Sequence, residues 1–416
     1  MLWLNVLGDI KRLPHACHMN SVVRQMWEQN TDVVMVDTGN SYEGLCEYVG
    51  GKYISYTDEH PITMNPFAIK REELNIEKIG FLKNLIMLIW KGTQGEVTKT
   101  EDRLVEQVIT EYFDEYFVKK RIDNLSFNTF YEYSTVRIPT IIKENNLAGI
   151  DLAAYNYLLK DFYKGGSHEL TLNENLDTKL FDETFIVFEI DSIKDDPLLF
   201  PLVTLIIMDV FIQKMRIKKN RKVLVIEEAW KAIASPMMAE YIKYLYKTAR
   251  KFWASVGVVT QEIQDIVGSP IVKEAIINNS DVVMLLDQAK FRERFDEIKA
   301  ILGLTDVDCK KIFTINRLEN KEGRSFFREV FIRRGSVGAV FGVEEPHECY
   351  MTYTTERAEK EALKLYKKEL QCDHQHAIEA YCRDWELSGI SKSLPFAQKV
   401  NQTGHVLHLT PHNQSE

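Results

Sequence analysis

The sequence predicts an α/β fold with a mostly parallel central sheet, flanking helices and an inserted all-α region. Two observations carry this prediction. Short, β-branched, almost continuously apolar segments are typical of strands buried on both faces, and segments with helical periodicity separate most of them. The predicted strands are Asp32–Asp37, Phe185–Ile190, Lys222–Glu227, Ser255–Thr260 and Asp281–Asp287. The helices predicted between them are Asn20–Gln29, Leu198–Arg216 and Pro236–Trp253.

The sequence pattern changes between Ile69 and Lys179, where apolar residues recur at helical spacing. This change predicts a helical insertion between the second and third strands of the sheet, Asp32–Asp37 and Phe185–Ile190, when a first strand near the N-terminus is counted. We therefore expect a sheet domain in two parts, residues 1–70 and 181–345, separated by the insertion at 71–180. In the remaining region, 346–416, the pattern predicts a charged helix at Glu356–Leu370 and a flexible tail at Ser388–Glu416.

Composition limits the classes of protein that this chain can represent. Its 416 residues are 45% hydrophobic and 27% charged, which is ordinary for a globular protein. The formal net charge of −9 argues against a surface devoted to nucleic-acid binding. Six cysteines without a Cys-x-x-Cys pair indicate reduced thiols, and the sequence shows neither a signal peptide nor an apolar run of about 18 residues. We therefore expect a cytoplasmic protein.

The motif most informative about function is the segment KVLVIEEAW, which starts at Lys222. A buried strand here delivers two consecutive acids, Glu227 and Glu228, to its carboxyl end. Ligands bind at the carboxyl ends of parallel strands. In nucleotide hydrolases the first such acid orients a Mg²⁺-bound water and the second polarises the attacking water. The alternative is a buried strand with a solvated acidic end.

Two further polar residues follow this motif. Arg250 lies in the segment TARK, and Gln261 follows the strand Ser255–Thr260. A glutamine at that strand end suits sensing of a terminal phosphate or alignment of water. An arginine suits stabilisation of transition-state charge across a subunit boundary. Taken alone, however, an arginine at this place on a helix is more often a surface charge.

Several ordered segments together resemble the TraG-type conjugation-system ATPases, which belong with the traffic ATPases of type IV secretion. They are VVMVDTGNSYEGLCEYVGGKYISY, IEEAWKAI, MAEYIKYLYKTARKFW, VVTQEIQDI, SPIVKEAIINNSD and LLDQAK. The resemblance implies a RecA-like P-loop NTPase fold that uses ATP and Mg²⁺. It also implies that Glu227 binds Mg²⁺ through water and that Glu228, Arg250 and Gln261 are catalytic. The implied partners are further copies in a hexamer and other channel subunits at the cytoplasmic face of the inner membrane.

The chain departs from the family at the phosphate-binding loop, whose pattern is G-x-x-x-x-G-K-[ST]. Gly8 occupies the place of the first glycine and is the one candidate cofactor-binding residue there. The second glycine, the lysine and the hydroxyl residue are missing, and Pro14 removes a backbone donor. Gly51–Lys52 lacks the rest of the pattern and is no substitute. An altered reading frame or an internal start would account for this loss.

Two hypotheses of function therefore stay open. The first is a motor ATPase subunit that drives DNA transfer or pilus assembly, impaired here by the missing loop. The second is a catalytically inactive structural or assembly component. The resemblance favours the first as the identity of the family, whereas the altered loop favours the second as the behaviour of this chain.

Three weaker patterns have ordinary structural explanations beside functional ones. A basic stretch suits single-stranded DNA or an acidic membrane surface, but it also lies at a helix C-terminus, where cations are favoured. Asp37 and Asn40 fit turn chemistry. A cluster of possible metal ligands has a spacing that matches no common zinc pattern, so a solvated helix is the favoured interpretation. The basic residues are Lys214, Arg216, Lys218, Lys219, Arg221 and Lys222, and the cluster is Cys372, His374, His376 and Cys382.

Overall fold

A computed structural model describes residues 2–6, 15–175, 178–228, 236–260, 277–317 and 327–407. In these ranges the chain forms a nine-stranded sheet with the strand order β3-β4-β2-β5-β6-β1-β7-β8-β9. Strands β1 to β7 run parallel, and β8 and β9 form an antiparallel hairpin at one edge. The strands are β1 (Leu2–Val6), β2 (Thr31–Asp37), β3 (Lys52–Ser55), β4 (Phe185–Glu189), β5 (Arg221–Glu227), β6 (Ala254–Thr260), β7 (Val282–Leu285), β8 (Phe327–Arg334) and β9 (Val337–Glu344).

Helices cover both faces of this sheet. Outside the insertion and the C-terminal region they are α1 (His15–Glu28), α2 (Glu43–Tyr48), α8 (Leu199–Ile217), α9 (Pro236–Ala249), α10 (Phe295–Leu302) and α11 (Asp306–Ile312). Of these, α1, α8 and α9 follow the three predicted segments, whereas α2, α10 and α11 were not predicted. Helix α8 is buried along almost its whole length because it lies between the sheet and the insertion. Within the described ranges, every helix falls short of the length or hydrophobicity that spanning a bilayer requires.

The insertion consists of α3 (Ile76–Lys91), α4 (Lys99–Phe117), α5 (Phe127–Asn145), α6 (Leu152–Leu159) and α7 (Glu169–Asn173). It lies between the strands at Thr31–Asp37 and Phe185–Glu189, as predicted, but a further short strand, β3, precedes it. The strand Lys52–Ser55 was missed because it is short and only half-buried, without a continuous apolar run. The insertion and the sheet share one hydrophobic core. Their division into separate domains stays a prediction.

The insertion is anchored to the sheet by a buried ion pair. Lys78 at the start of α3 lies 2.8 Å from Asp209 of α8, and both side chains are nearly inaccessible. Side-chain caps define the helix starts: Asn75, Thr98 and Ser126 each accept a hydrogen bond from a backbone N–H in the first turn. These caps fix the positions at which the three helices begin.

The C-terminal region forms a helical cluster rather than one helix and a tail. It contains α12 (His347–Tyr353), α13 (Arg357–Leu370), α14 (His374–Leu387) and α15 (Ser393–Thr403). The prediction of a loose tail is wrong for α15, because Phe396, Ala397 and Val400 recur at helical spacing and are fully buried. The rings of Tyr381 and Phe396 lie 5.0 Å apart. Residues 408–416 lie outside the described ranges.

Most residues of the basic stretch before and at the start of β5 make hydrogen bonds or ion pairs within the fold. Lys214 is fully buried, lies 3.0 Å from Asp32 and donates to the carbonyl oxygens of Phe181 and Glu183. Lys222 is also buried, and its Nζ donates to the carbonyl oxygen of Asn220 at 2.6 Å. Ion pairs also join Arg216 to Glu77 and Lys218 to Asp182. These contacts support the structural explanation of the stretch.

Candidate functional site

Three acids meet where neighbouring parallel strands end. Strands β4, β2 and β5 lie side by side, and their last residues are Glu189, Asp37 and Glu227. Asp37 is directly opposite Glu189. In the register of β2 with β5, Val36 pairs with Ile226, so Asp37 and Glu227 are the next residues of the two strands. We call this end of the sheet the carboxyl edge, and the end where the parallel strands begin the amino edge.

Asp37 organises the turn that leaves the carboxyl edge. Its Oδ1 accepts the backbone N–H of Gly39 at 3.2 Å, and its Oδ2 accepts those of Ser41 and Tyr42 at 2.8 and 3.2 Å. Asn40 adopts a left-handed conformation with φ of 52°. The turn role that the sequence left open for Asp37 and Asn40 is therefore confirmed.

Glu189 completes this turn from the neighbouring strand. Its carboxylate accepts the backbone N–H groups of Asn40 and Asp191 at 2.9 and 2.8 Å, and the O–H of Tyr53 at 3.3 Å. Burial, and then the adjacent charge of Asp37, raises the pKa of Glu189 to about 8. Burial, and then the charge of Glu227, raises the pKa of Asp37 to about 7. Each of the two carboxyl groups therefore favours its protonated form more than an ordinary acid does.

Glu227 and Glu228 lie at the end of β5, as the sequence predicted. The phenol of Tyr42, which is fully buried, donates a hydrogen bond to Oε1 of Glu227. Burial raises the pKa of the Glu227 carboxyl to about 7, and the Tyr42 hydrogen bond opposes that rise. Glu228 has a φ of 47°, in the left-handed region that disfavours side chains. Such conformations concentrate at functional positions.

The carboxyl edge continues to β1, the strand that precedes the altered loop. Glu227 pairs with Val259 of β6, and Thr260 pairs with Val6 of β1. The chain therefore leaves β1 at the same edge as the two acids and returns in α1 from His15. Gly8 and Gln261 lie outside the described residues. The strands before them, β1 and β6, both end at the carboxyl edge.

Arg250 lies at the amino edge, away from Glu228 of the same chain. It immediately precedes β6, whose first residue, Ala254, pairs with Lys222. Lys222 and Glu227 are five positions apart in β5, about 17 Å along a strand. Arg250 lies 3.1 Å from Asp281 and is about half exposed. The expected convergence of Arg250 with the acids is therefore not found within one chain, and a role across a subunit boundary stays a prediction.

The acids fit one side of a magnesium–nucleotide site. Mg²⁺ usually keeps several waters and takes one or two carboxylates together with substrate phosphates. Within the described ranges no group of three His, Cys, Asp or Glu side chains is arranged to hold a metal ion by itself. Glu227 and Glu228 suit the role of the carboxylates in such a site. The phosphate side does not fit, because Leu13, Pro14 and His15 stand where the pattern counted from Gly8 requires a glycine, a lysine and a hydroxyl residue.

The possible metal ligands of the C-terminal region have other environments. Cys382 is buried in the core of the helical cluster. His376 lies 2.7 Å from Asp373, and His374 lies 3.4 Å from Glu47 of α2. The predicted solvated helix surface therefore holds for His376, whereas it is wrong for Cys382, which packs inside the helical cluster.

Comparison with solved structures defines the class of protein. The fold is similar to that of VirB4 from Thermoanaerobacter pseudethanolicus, with a TM-score of 0.62 and 19% identity, covering 84% of this chain and 91% of that one. It is also similar to the conjugative coupling protein TrwB in complex with sulphate, with a TM-score of 0.54 and 11% identity over 83% and 84% of the two chains. TrwB in complex with ADP and Mg²⁺ matches with a TM-score of 0.51 and 12% identity over 82% and 84%. The chain has the RecA-like P-loop NTPase fold.

The family follows from the sequence match. Residues 14–385 match the TraG P-loop domain, and the chain belongs to this family of conjugation and type IV secretion ATPases. It is 24% identical over 294 residues to protein TraC of Escherichia coli strain K12, covering 67% of this chain and 31% of TraC. The chain thus spans about a third of the length of that relative. Gly8 precedes the residues that match the family.

Proposed function

We propose that this chain is the motor domain of a conjugation or type IV secretion ATPase, with Glu228 as the catalytic carboxylate. The observation that carries the proposal is the position of Glu227 and Glu228, on the edge where β1 delivers the chain to the phosphate-binding loop. Bound Mg·ATP would supply the phosphoryl group that is transferred to water. In such a site Glu227 would hold a Mg²⁺-bound water, Glu228 would accept the proton of the attacking water, and Gln261 would align that water.

We also propose that the chain binds Mg·ATP weakly in its present sequence. Leu13, Pro14 and His15 stand where the pattern counted from Gly8 requires glycine, lysine and a hydroxyl residue. Without these groups a triphosphate would approach the acids of the carboxyl edge with Mg²⁺ as the main compensating charge. This observation also supports the second candidate, a catalytically inactive assembly component.

Arg250 is proposed to act in the site of a neighbouring copy. Its position at the amino edge excludes direct contact with Glu228 in the same chain, whereas a head-to-tail ring brings the edge of one subunit to the site of the next. Trp253, three residues further, is 73% exposed. Exposed tryptophans of this kind are typical anchors of interfaces. A ring of identical subunits, such as a hexamer, is therefore the proposed working form.

The proposed partners beyond this ring are other subunits of a secretion channel, reached by peripheral docking at the cytoplasmic face of the inner membrane. Family membership supports this proposal. Contact with single-stranded DNA through the basic stretch is not proposed, because Lys214 and Lys222 are buried and Arg216 and Lys218 are paired.

The decisive experiment restores the loop. The variant Leu13→Gly/Pro14→Lys/His15→Ser recreates the pattern in register with Gly8. Isothermal titration calorimetry is expected to show micromolar Mg·ATP affinity for this variant and none for the unmodified chain. ATP hydrolysis is expected only in the restored chain. Activity in neither chain would support the inactive component, whereas micromolar affinity of the unmodified chain would contradict the proposed impairment.

Two substitutions in the restored chain test the assigned residues. Glu228→Gln is expected to preserve ATP binding and to lower kcat by roughly 100-fold or more, since general-base groups contribute at least that much. Arg250→Ala is expected to be inactive alone. Mixing the Glu228→Gln and Arg250→Ala chains should regain activity, because a mixed boundary can combine an intact Glu228 with an intact Arg250. No recovery on mixing would contradict the role of Arg250 across the boundary.

A further inference from the structure

Tyr42 links the turn after β2 to the acid at the end of β5. It directly precedes α2, and its side chain is fully buried. Its phenol donates to Oε1 of Glu227, a residue 185 positions further along the chain. Because a phenol is protonated at neutral pH, Tyr42 is the donor and the Glu227 carboxylate is the acceptor.

The backbone of Tyr42 is held on both sides. On one side, Oδ2 of Asp37 accepts its N–H at 3.2 Å and that of Ser41 at 2.8 Å. On the other, α2 packs so closely on α12 that a Cβ added at Gly44 would lie 2.4 Å from the carbonyl oxygen of Thr352. The position of the phenol is therefore fixed by contacts that do not involve Glu227.

We propose that Tyr42 is a positioning residue for Glu227, holding Oε1 through its phenol O–H so that the carboxylate presents Oε2 to a metal-bound water. The inference rests on the proposed role of Glu227. It adds a residue that neither the motif of β5 nor the resemblance to the family indicated. Groups that orient a carboxylate near a metal typically change activity or metal affinity 10- to 100-fold when removed.

The chain offers a matched control in Tyr53. Its O–H donates to Oδ1 of Asn40 at 2.6 Å and to Oε2 of Glu189 at 3.3 Å, not to Glu227. Tyr53→Phe therefore removes a phenol O–H from the same edge without touching the acid at the end of β5. Any effect of Tyr42→Phe that Tyr53→Phe reproduces belongs to folding or to general loss of a hydroxyl.

The first arm of the test uses the chain as it is, without nucleotide. Ultraviolet resonance Raman spectra report through the tyrosine ring doublet whether a phenol donates strongly. Subtracting the spectrum of the Tyr42→Phe variant from that of the unmodified chain leaves the signal of Tyr42. This difference spectrum is expected to show the signature of a strong hydrogen-bond donor. The same difference taken in a Glu227→Ala background should lose that signature, and in the size-matched Glu227→Gln background it should weaken, because an amide oxygen accepts less strongly than a carboxylate. An unchanged signature in both backgrounds would overturn the proposal.

The second arm measures kinetics in the loop-restored chain. Tyr42→Phe is expected to lower kcat by roughly 10-fold and to raise the Mg²⁺ concentration for half-maximal activity, with ATP affinity unchanged. Tyr53→Phe is expected to change both quantities less than Tyr42→Phe does, because its O–H contacts Asn40 and Glu189 and not Glu227. Equal losses in the two variants would overturn the proposal. If the loop-restored chain is inactive, the proposed function fails, and the Raman comparison still decides the role of Tyr42.

Discussion

The two edges of the parallel sheet handle buried charge in opposite ways. At the amino edge, Lys214 lies 3.0 Å from Asp32 and fills its remaining donor positions with backbone carbonyl oxygens. At the carboxyl edge, Asp37, Glu189 and Glu227 lie together, and within the described ranges their partners are backbone N–H groups and tyrosine hydroxyls rather than cations. The amino edge thus contains a buried ion pair, whereas the carboxyl edge gathers three acids.

This difference separates structure from function. A paired buried charge stabilises a fold or is neutral to it, whereas buried acids without a cation raise one another's pKa and cost stability. Such arrangements persist mainly where a ligand or catalysis requires them. The contrast therefore supports a functional carboxyl edge in this protein and a structural amino edge beneath it.

The largest expected effect comes from breaking the buried ion pair at the amino edge. Lys214→Met leaves Asp32 buried without its cation, and removing one partner of a buried pair typically costs about 3–5 kcal/mol. We expect that loss in the free energy of unfolding, measured by urea denaturation. Lys219→Met, at an exposed position of the same basic stretch, should change it by no more than about 0.5 kcal/mol. Similar effects of the two substitutions would show that the amino edge is not held by this pair.

A smaller effect is expected at the carboxyl edge, where the free energy of unfolding should depend on pH in a defined direction. The folded pKa of Glu189, about 8, is raised from 4.5. The stability that its protonation contributes is therefore complete below about pH 4 and is lost as pH rises toward 8. Gln cannot titrate, so Glu189→Gln should gain stability relative to the unmodified chain between pH 5 and pH 8, by on the order of 2 kcal/mol.

Urea denaturation at several pH values measures this difference directly. Glu96→Gln, at an exposed position in the insertion, serves as the matched control for the loss of a carboxylate. A flat difference for Glu189→Gln, or one that favours the unmodified chain at high pH, would show that Glu189 is ionised in the folded state throughout this range.

The edges also differ in how far the sequence predicts them. The central strands were predictable because parallel strands buried on both faces are almost continuously apolar. The hairpin β8–β9 and the short β3 were not, since arginines, glycines and half-exposed positions interrupt their patterns. The C-terminal helix α15 was mistaken for a tail because its polar residues conceal the buried positions.

Within the site, Glu227 and Glu228 were predictable because they directly follow an apolar strand. Tyr42 was not, because the hydrogen bond that gives it a role crosses 185 positions and depends on which strands are neighbours. The position of Arg250 at the amino edge follows from its place shortly before β6, since a residue that precedes a parallel strand lies at the end opposite the acids. Its predicted role across a subunit boundary stays a prediction.

The smallest expected effect concerns backbone strain, which both edges contain. Glu228 at the carboxyl edge and Trp253 at the amino edge have φ values of 47° and 55°, and side chains there cost roughly 1–2 kcal/mol. Glycine relieves this strain but has more conformational freedom to lose on folding. We expect Glu228→Gly and Trp253→Gly each to raise the free energy of unfolding by about 0.5–1 kcal/mol, measured by urea denaturation at low protein concentration.

Alanine distinguishes strain from other causes at Glu228. Glu228→Ala removes the charge but keeps a Cβ, so it should not give the stabilisation expected for glycine. If alanine stabilises the fold as much as glycine does, charge repulsion with Glu227 rather than φ is the source of the cost. A stabilising Glu228→Gly that also abolishes hydrolysis in the loop-restored chain would show that the strained conformation is maintained for catalysis against the stability of the fold.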